Sequence, residues 1–581
     1  MTKTTIDQIT TEVISHRFAA TADEMMATLV KTSYSPNIKE RRDCSVAIFD
    51  TSGNMVALSA IAPLHLSSLL GMVKNITERH PIESLKPGDA FLTNDPYVGG
   101  GSHLPDLTLM NPVFVENQVV GFVANLAHHS DIGGKVAGSE SADCTSIFQE
   151  GLRVPPVKLL NEGDLVKDVL DIVLLNSRTP HQREGDLKAQ IATNATGVRR
   201  VKETFQNFGI KTVQSALSSL LDYAEARARA EISKLPDGEY HNEDFLDNDG
   251  VEDKLIPLKV AVTIAGDEIH FDFTGSADQI AGARNMPLIA TQAGVYYVVK
   301  AITDPTLPPN SGYFRAIKVT APEGSIFNCR APAAVGDRGA TGNILGDLLM
   351  GALADVMPER VMAGCGPLHG LIFSGIDPRT GEYFVDYETY AGASGALIDQ
   401  EGKDAVRVHV SGAANLPVES VEQEFPLTVE RYELLTDTGG AGKFRGGLGT
   451  RRDVCILAQS GKLAGRGLRE TVAAPGLFGG AKGHVGSFFL HPDSNHEVKL
   501  PGSFSEYPVD SGSIVRVETP SGAGYGDPLS REPAKVLDDV INGKVSSAGA
   551  EADYGVVLKD HSVDENLTRE LRDQRGGGYE Q

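Results

Sequence analysis

The chain has little of what would tie it to an oxidising compartment or a membrane. Its five cysteines are widely scattered and show no CxxC or CxxxC spacing, which argues against a disulfide framework or a cysteine-rich zinc site. No segment reaches the ~18 apolar residues that are needed to span a bilayer. The N-terminus lacks the apolar core of a signal peptide. We therefore expect a soluble, cytoplasmic protein.

Positive charge is scarce relative to negative charge. The 581 residues include 53 Lys and Arg against 77 Asp and Glu, which gives a formal net charge of −24. A nucleic-acid-binding surface needs clustered Lys and Arg, so we expect neither nucleic acid nor a membrane among the partners. The apolar fraction of 41% is ordinary for a globular protein, and the length exceeds what one core supports. Several domains are therefore expected.

Changes in pattern along the chain predict three domains and an α+β, multi-domain fold. Residues 1–235 combine an amphipathic helix over about 6–33, buried strands and two helices over about 180–235, which indicates a mixed α/β domain that carries the candidate metal site. Residues 236–426 are predicted to be β-rich with one long helix over about 344–357. Residues 427–581 are predicted to hold short strands, a last helix over about 534–541 and a flexible tail at 576–579.

A glycine-rich loop over residues 94–106 carries the clearest candidate chemistry. It places His103 and Asp106 three residues apart, around Pro105. Imidazole nitrogen and carboxylate oxygen together form a donor set for a divalent metal such as zinc, manganese or iron. The proline disfavours a helix there, and the neighbouring glycines allow the loop to bend sharply or a ligand to approach the backbone.

A histidine pair follows a predicted buried strand about twenty residues later. His128 and His129 come after the apolar run 119–126, so their side chains point to opposite faces and at most one would join a metal site. Asp43, which precedes a predicted strand over 44–49, could supply a fourth donor, although the arginine at 41 or 42 could simply pair with it. Hydrogen-bonded structural histidines near strand ends are common, so spacing alone leaves the metal site open.

No motif for nucleotide binding is found. The run 440–444 lacks the first glycine of a phosphate loop, and Phe444 stands where a magnesium-binding Ser or Thr is required. No GxSxG nucleophile elbow occurs either. The residues thus offer a hydrolytic metal site without a nucleotide site of its own.

Several long motifs, spread over about residues 5–557, resemble the hydantoinase B family. These motifs lie at residues 40–50, 94–106, 127–134, 150–156, 185–190, 328–335, 439–447 and 524–528. Two departures are small: the family usually has four glycines at 521–524, and a threonine where this chain has Ser102. Neither departure affects a proposed ligand.

The resemblance implies a B-type subunit of an ATP-dependent cyclic-amide hydrolase that opens a lactam, a hydantoin or 5-oxoproline. In this family the subunit works with a hydantoinase A-type subunit that binds ATP and magnesium, and we expect an A2B2 or larger hetero-oligomer. That arrangement would account for the missing phosphate loop. The resemblance also implies one zinc or manganese ion, with ligands carried over to Asp43, His103, Asp106 and His128.

The implied reaction starts on the partner subunit, which would phosphorylate the carbonyl oxygen of the cyclic amide and so remove amide resonance. A water whose pKa is lowered by the metal would then attack the activated carbon on this chain. His129 and Asp131 are candidates for proton transfer or ligand orientation, with strand-end hydrogen bonding as the structural alternative. Arg338 could bind a substrate carboxylate or phosphate, or form a structural ion pair.

Two alternatives stay open. The chain could be a subunit of an ATP-dependent ketone carboxylase of the acetone or acetophenone type, in which an enol phosphate meets carbon dioxide at the metal. It could also be a non-catalytic scaffold that completes the partner's site. Product analysis with lactams, hydantoins and ketones would separate the two activities. Full activity after His103→Ala, with no bound metal, would indicate the scaffold.

Overall fold

The computed structural model describes residues 7–576, and helices and sheets are interleaved throughout this range. Residues 577–579 of the predicted tail lie outside the described residues. The helices are α1 (Gln8–Thr32), α2 (Pro36–Lys39), α3 (His65–Leu70), α4 (Met72–Arg79), α5 (Lys167–Leu175), α6 (Pro180–Phe208), α7 (Ile210–Ile232), α8 (Leu288–Ile302), α9 (Arg338–Ala352), α10 (Val418–Glu424), α11 (Pro533–Ile541), α12 (Ser547–Tyr554) and α13 (Glu565–Gln574). Short 3-10 helices cover Ile82–Ser84, Ile147–Gln149, Tyr313–Ala316 and Pro528–Ser530.

The strands form five sheets within the described range. They are β1 (Cys44–Phe49), β2 (Met55–Ala60), β3 (Ala90–Thr93), β4 (Asp106–Val115), β5 (Gln118–His128), β6 (Val157–Asn161), β7 (Asp164–Leu165), β8 (Gly238–Leu246), β9 (Ile256–Ala265), β10 (Glu268–Asp272), β11 (Ile317–Thr320), β12 (His369–Ile376), β13 (Tyr383–Tyr390), β14 (Leu427–Leu434), β15 (Thr450–Ile456), β16 (Gln459–Arg466), β17 (Ser487–Leu490), β18 (Val498–Leu500), β19 (Ser503–Val509), β20 (Ile514–Glu518), β21 (Leu558–Lys559) and β22 (Ser562–Val563). This mixture confirms the predicted α+β, multi-domain class.

The first sheet carries the candidate site. It has seven antiparallel strands in the order β2-β1-β5-β4-β3-β6-β7. Along β1, Val46 and Ile48 pack with α1, whereas Ala47 and Phe49 pack in a second apolar cluster. Both faces are therefore buried, which explains why these strands are almost uniformly apolar.

The long first helix agrees closely with its prediction. The Asp7 carboxylate caps it by accepting the N–H of Thr10 at 2.9 Å, and α1 ends just before the Ser35-Pro36 pair. Apolar residues along one stripe, among them Ile14, Phe18 and Met25, are buried. The two predicted helices near 180–235 are α6 and α7.

Two helix predictions need correction. The long helix expected from about residue 344 is α9, which begins six residues earlier at Arg338. Its first turns contain Gly339 and Gly342, which are poor helix formers, and nearly all its side chains are buried, so packing overrides propensity there. The helix expected to be last, α11, is followed by α12 and α13.

The remaining sheets cover the middle and C-terminal parts of the chain. Their strand orders are β11-β10-β9-β8, β13-β12-β16-β19, β14-β15-β20-β17-β18 and β21-β22. Strand β12, which precedes residue 427, hydrogen-bonds with β16, which follows it. Backbone bonds therefore join the second and third predicted domains, whose limits stay a prediction. Within the described range, no helix is both long and apolar enough to cross a membrane.

Candidate active site

Three neighbouring strands of the first sheet place polar residues side by side at one edge. Asp106, the first residue of β4, lies opposite His128, the last residue of β5. The N–H of His128 donates to the carbonyl of Asp43, which directly precedes β1, at 3.0 Å. The strand register thus assembles three residues that are far apart in the sequence.

His103 joins this row from the glycine-rich loop before β4. Its Nδ1 lies 3.1 Å from the carbonyl oxygen of Gly336, which can only accept, so Nδ1 carries a proton and Nε2 is the nitrogen that can share a proton or a metal ion with Asp106. That Nε2 lies 3.1 Å from Oδ1 of Asp106. Both atoms are buried and have no hydrogen-bond partner. Two lone-pair atoms that face each other in this way are suited to share a cation.

Three of the four predicted ligands form one compact group. Ligand atoms of His103, Asp106 and His128 all lie within 4.8 Å of one another. Asp43 lines the adjoining cavity, but its Oδ1 lies 3.1 Å from Nε2 of His65. His65 in turn is fixed through Nδ1 by the Ser45 hydroxyl at 2.8 Å. No sequence pattern predicts the part of His65 in this site.

Glu140 is the central residue that no sequence pattern predicts. Its Oε1 lies 3.1 Å from Nδ1 of His103 and 3.1 Å from Nε2 of His128. Its Oε2 accepts the Tyr387 hydroxyl at 2.7 Å and lies 2.6 Å from the Arg466 guanidinium. Glu140 sits in the loop after β5 and reaches both histidines only through tertiary packing.

The orientation of the His128 ring follows from its neighbours. The amide of Asn37 donates to the His128 carbonyl at 2.6 Å and lies 3.1 Å from Nδ1 of the ring. Because Asn37 engages Nδ1, the nitrogen left for a proton or a metal ion is Nε2, which lies 3.1 Å from Oε1 of Glu140.

The electrostatics of the group favour a bound cation. Burial opposes ionisation of Asp106, but the charges of His103 and Arg338 hold its pKa well below the usual range. Burial also opposes ionisation of Glu140, whose pKa is nevertheless held low by Arg466 and by both histidines. For His103, burial and Arg338 act to lower the pKa, yet the two carboxylates outweigh them and raise it to about 9. The carboxylates therefore attract a proton or a metal ion.

A cavity of about 80 Å³ lies beside these groups and is walled partly by the start of α9. Arg338, at that helix start, lines the cavity, and its part in substrate binding stays a prediction. Its guanidinium is nevertheless engaged, with 2.8 Å bonds to Oδ2 of Asp106 and to the Ser102 hydroxyl. The ion pair keeps Asp106 ionised. It also holds α9 against His103, Asp106 and His128, which we call the ligand row.

His129 and Asp131 lie away from the cavity. His129 points to the opposite face of the sheet, with Nε2 3.0 Å from Oε1 of Gln190, and burial with the Arg183 charge lowers its pKa to about 4. Asp131 accepts from the Arg178 guanidinium at 2.9 Å. Neither His129 nor Asp131 is among the described residues that line the cavity. Strand alternation thus sends only His128 to the ligand row.

A second buried group, Asp347, Cys365 and His409, also has ligand atoms within 4.8 Å of one another. Its hydrogen bonds are largely internal: Oδ1 of Asp347 lies 2.7 Å from Nε2 of His409 and accepts the Cys365 N–H at 3.0 Å. Oδ2 of Asp347 pairs with Arg469 at 2.9 Å. Because both oxygens of Asp347 already have partners, unlike Oδ1 of Asp106, the cluster is suited to fixing the fold.

Glu150 supports the segment that holds His103. Its Oε1 accepts the N–H groups of Val335 and Gly336 at 2.8 and 2.7 Å, and the Gly336 carbonyl contacts His103. Burial raises the pKa of Glu150 to about 8, although these two bonds oppose the shift. The carboxyl is therefore neutral over much of the range in which an exposed glutamate is ionised.

Comparisons with known proteins agree over nearly the whole chain. The family model described as hydantoinase B/oxoprolinase matches residues 7–528. A protein of Pseudomonas sp. strain NS671, provisionally named as the B component of a D-/L-hydantoinase, is 36% identical over 98% of each chain. The crystal structure of the ATP-dependent caprolactamase from Pseudomonas jessenii has a TM-score of 0.89 at 32% identity, covering 98% of this chain and 100% of that one.

A nucleotide-free structure of an acetone carboxylase has the same fold. Its TM-score is 0.89 at 20% identity, over 98% of this chain and 83% of that chain. At this identity the likeness concerns the fold alone.

We predict that Glu150→Gln makes stability less dependent on pH. The folded pKa of about 8 lies above the ordinary value of 4.5, so Glu150 contributes stability that is complete below about 4.5 and lost as the pH rises through about 8. Glutamine cannot ionise, so the variant should not show this loss. The measurement is the free energy of unfolding of the metal-free chain in urea, at pH values between about 4.5 and 8. The exposed Glu116→Gln should behave like the unchanged chain; equal pH dependence in both variants would contradict the prediction.

Proposed function

The chain belongs to the hydantoinase B/oxoprolinase family, and from this premise we propose that it is the B-type subunit of an ATP-dependent cyclic-amide hydrolase. The substrate would be a lactam, a hydantoin or 5-oxoproline. The names of two similar proteins, the B component of a hydantoinase and an ATP-dependent caprolactamase, support this proposal.

The proposed partner is a hydantoinase A-type subunit that binds ATP and magnesium, in an A2B2 or larger assembly. That subunit would phosphorylate the carbonyl oxygen of the cyclic amide, and this chain would hydrolyse the activated product. The cysteines of the described residues are all free thiols, which suits a cytoplasmic location.

The observation that carries the proposal is the pair of buried atoms, Nε2 of His103 and Oδ1 of Asp106, that lack any hydrogen-bond partner. This donor set fits one zinc or manganese ion. The residues that would hold the ion are His103, Asp106 and His128, with Asp43 as the fourth. When bound, such an ion lowers the pKa of water toward neutrality and polarises a carbonyl oxygen.

The protein's own groups would orient the metal ligands and accept a proton from one of them. The Gly336 carbonyl fixes the ring of His103, and Arg338 keeps Asp106 ionised. Glu140 would accept the proton that Nε2 of His128 must give up to bind an ion, and Tyr387 fixes the other carboxylate oxygen of Glu140.

The proposed activity is tested with the reconstituted complex, ATP and a panel of hydantoin, caprolactam, 5-oxoproline and acetone. We expect a ring-opened product from one cyclic amide and release of ADP and phosphate, because phosphorylation removes amide resonance. Incorporation of carbon-13 bicarbonate into a ketone product would instead establish the carboxylase alternative.

We predict that His103→Ala removes the bound metal, because it deletes one of the two unpartnered ligand atoms. His129→Gln is the matched histidine variant on the other face of the sheet, and it should retain the metal. Elemental analysis of the purified chains provides the measurement. Full metal content in His103→Ala would contradict the assignment of His103 as a ligand. Full activity of that variant, with no bound metal, would leave only the scaffold role.

We also predict that Glu140→Gln lowers the turnover of the complex about 10- to 100-fold, the usual cost of losing a group that orients metal ligands. Glutamine keeps the shape but removes the charge that both histidines face. Tyr387→Phe, which deletes one hydrogen bond to Glu140, should have a smaller effect. Unchanged kcat in Glu140→Gln would rule out this role.

A further inference from the structure

Arg407 lines the cavity, and the proposed reaction assigns no role to this residue. Its guanidinium donates only to neutral groups: the Thr389 and Ala414 carbonyls, the Ser411 hydroxyl at 3.4 Å and the Asn415 side chain at 3.3 Å. Its Nε is buried without a partner. Within the described range, no carboxylate lies within the 4.0 Å of an ion pair with Arg407.

Other arginines around the site have their charges compensated. They pair as Arg41 with Glu388, Arg338 with Asp106 and Arg466 with Glu140. Arg452 also lacks a carboxylate contact, but its guanidinium lies over the rings of Tyr390 and Tyr432. Arg407 has neither kind of compensation.

The surroundings of Arg407 make an added anion favourable. Arg407 is half-buried, and desolvation together with the nearby charge of Arg41 lowers its pKa to about 10, which makes its charged form less favourable than that of an exposed arginine. The nearby carboxylates are already engaged, Asp43 by His65 and Glu388 by Arg41. A negative group from a ligand would supply the missing compensation.

The start of α9 adds a second attraction for an anion in the same cavity. Residues 336–340, which lead into the first turn of α9, line the same cavity. This helix has 15 residues, and its dipole favours negative charge at this end. The Asp337 carboxylate at the helix N-cap is compensated by Arg284 and Arg466. Asn343 of the next turn also lines the cavity.

We infer that Arg407 and the first turn of α9 form an oxyanion subsite, which holds a carboxylate or phosphoryl group of the substrate beside the ligand row. The guanidinium fork matches either oxyanion with two hydrogen bonds. The inference deepens the proposed function and rests on it for the identity of the ring. It assigns this chain a cyclic amide that carries a carboxylate, or one that arrives phosphorylated.

The test is calorimetric titration of the full chain with three probes: orthophosphate, 5-oxoproline, and 2-pyrrolidinone, which has the same ring without the carboxylate. Arg407→Gln should weaken binding of at least one anion about tenfold or more, the usual effect of losing a charged hydrogen bond. Binding of 2-pyrrolidinone should not change. The anion affinity of Arg407→Lys should lie between those of the unchanged chain and Arg407→Gln, because lysine keeps the charge but cannot form two parallel hydrogen bonds.

The outcomes separate the two anion sources. If Arg407→Gln weakens the binding of orthophosphate alone, the subsite is assigned to the phosphoryl group. If it weakens the binding of 5-oxoproline alone, the subsite is assigned to the substrate carboxylate. The control is Arg431→Gln, which removes an exposed arginine with the same change in net charge and should bind like the unchanged chain.

The inference would be overturned if neither anion binds measurably to the unchanged chain. It would also be overturned if Arg407→Gln binds both anions as tightly as the unchanged chain does, or if Arg431→Gln weakens anion binding as much as Arg407→Gln does. If Arg407→Gln does not fold, the Lys variant and ionic-strength dependence in the unchanged chain decide the matter, since an arginine-held anion must weaken with salt. Binding requires no turnover. Failure of the hydrolase proposal therefore shows separately, as the absence of ring opening by a complex whose anion binding still depends on Arg407.

Discussion

The antiparallel register of β4 and β5 is the constraint on which the candidate site depends. It sets Asp106 opposite His128 and, through β1, brings Asp43 beside them. Because side chains alternate between faces, a slip of one residue would turn His129 to the cavity and bury His128 against α6. Apolar clusters cover both faces of the sheet, so the same slip would misplace the core on either side. Core packing therefore also selects which histidine joins the ligand row.

The buried charges of the ligand row tie it to distant parts of the fold. Asp106 is compensated by Arg338 at the start of α9, and Glu140 by Arg466 at the end of β16. An uncompensated buried carboxylate is strongly destabilising, so the row requires both α9 and the sheet that contains β16. Although its ligands lie early in the sequence, the site is a product of the whole chain.

Local patterns predict the parts of this structure that local forces decide. The apolar stripe and the following Pro36 locate α1, and strand alternation separates His128 from His129. The contacts of Glu140 arise only when its loop meets the histidines, so no spacing reveals them. The early start of α9 is likewise a tertiary effect, because buried packing overrides its glycines.

Separate groups in the cavity for a cation and for an anion would give a substrate one orientation. The unpartnered Nε2 of His103 and Oδ1 of Asp106 would hold a cation, whereas Arg407 and the start of α9 would attract an anion. A substrate with a negative group would therefore turn that group toward Arg407 and its scissile carbonyl toward the ligand row. Chemistry and specificity would then lie on separate elements. Changes near Arg407 could alter the choice of ring without disturbing a ligand row that the sheet register holds in place.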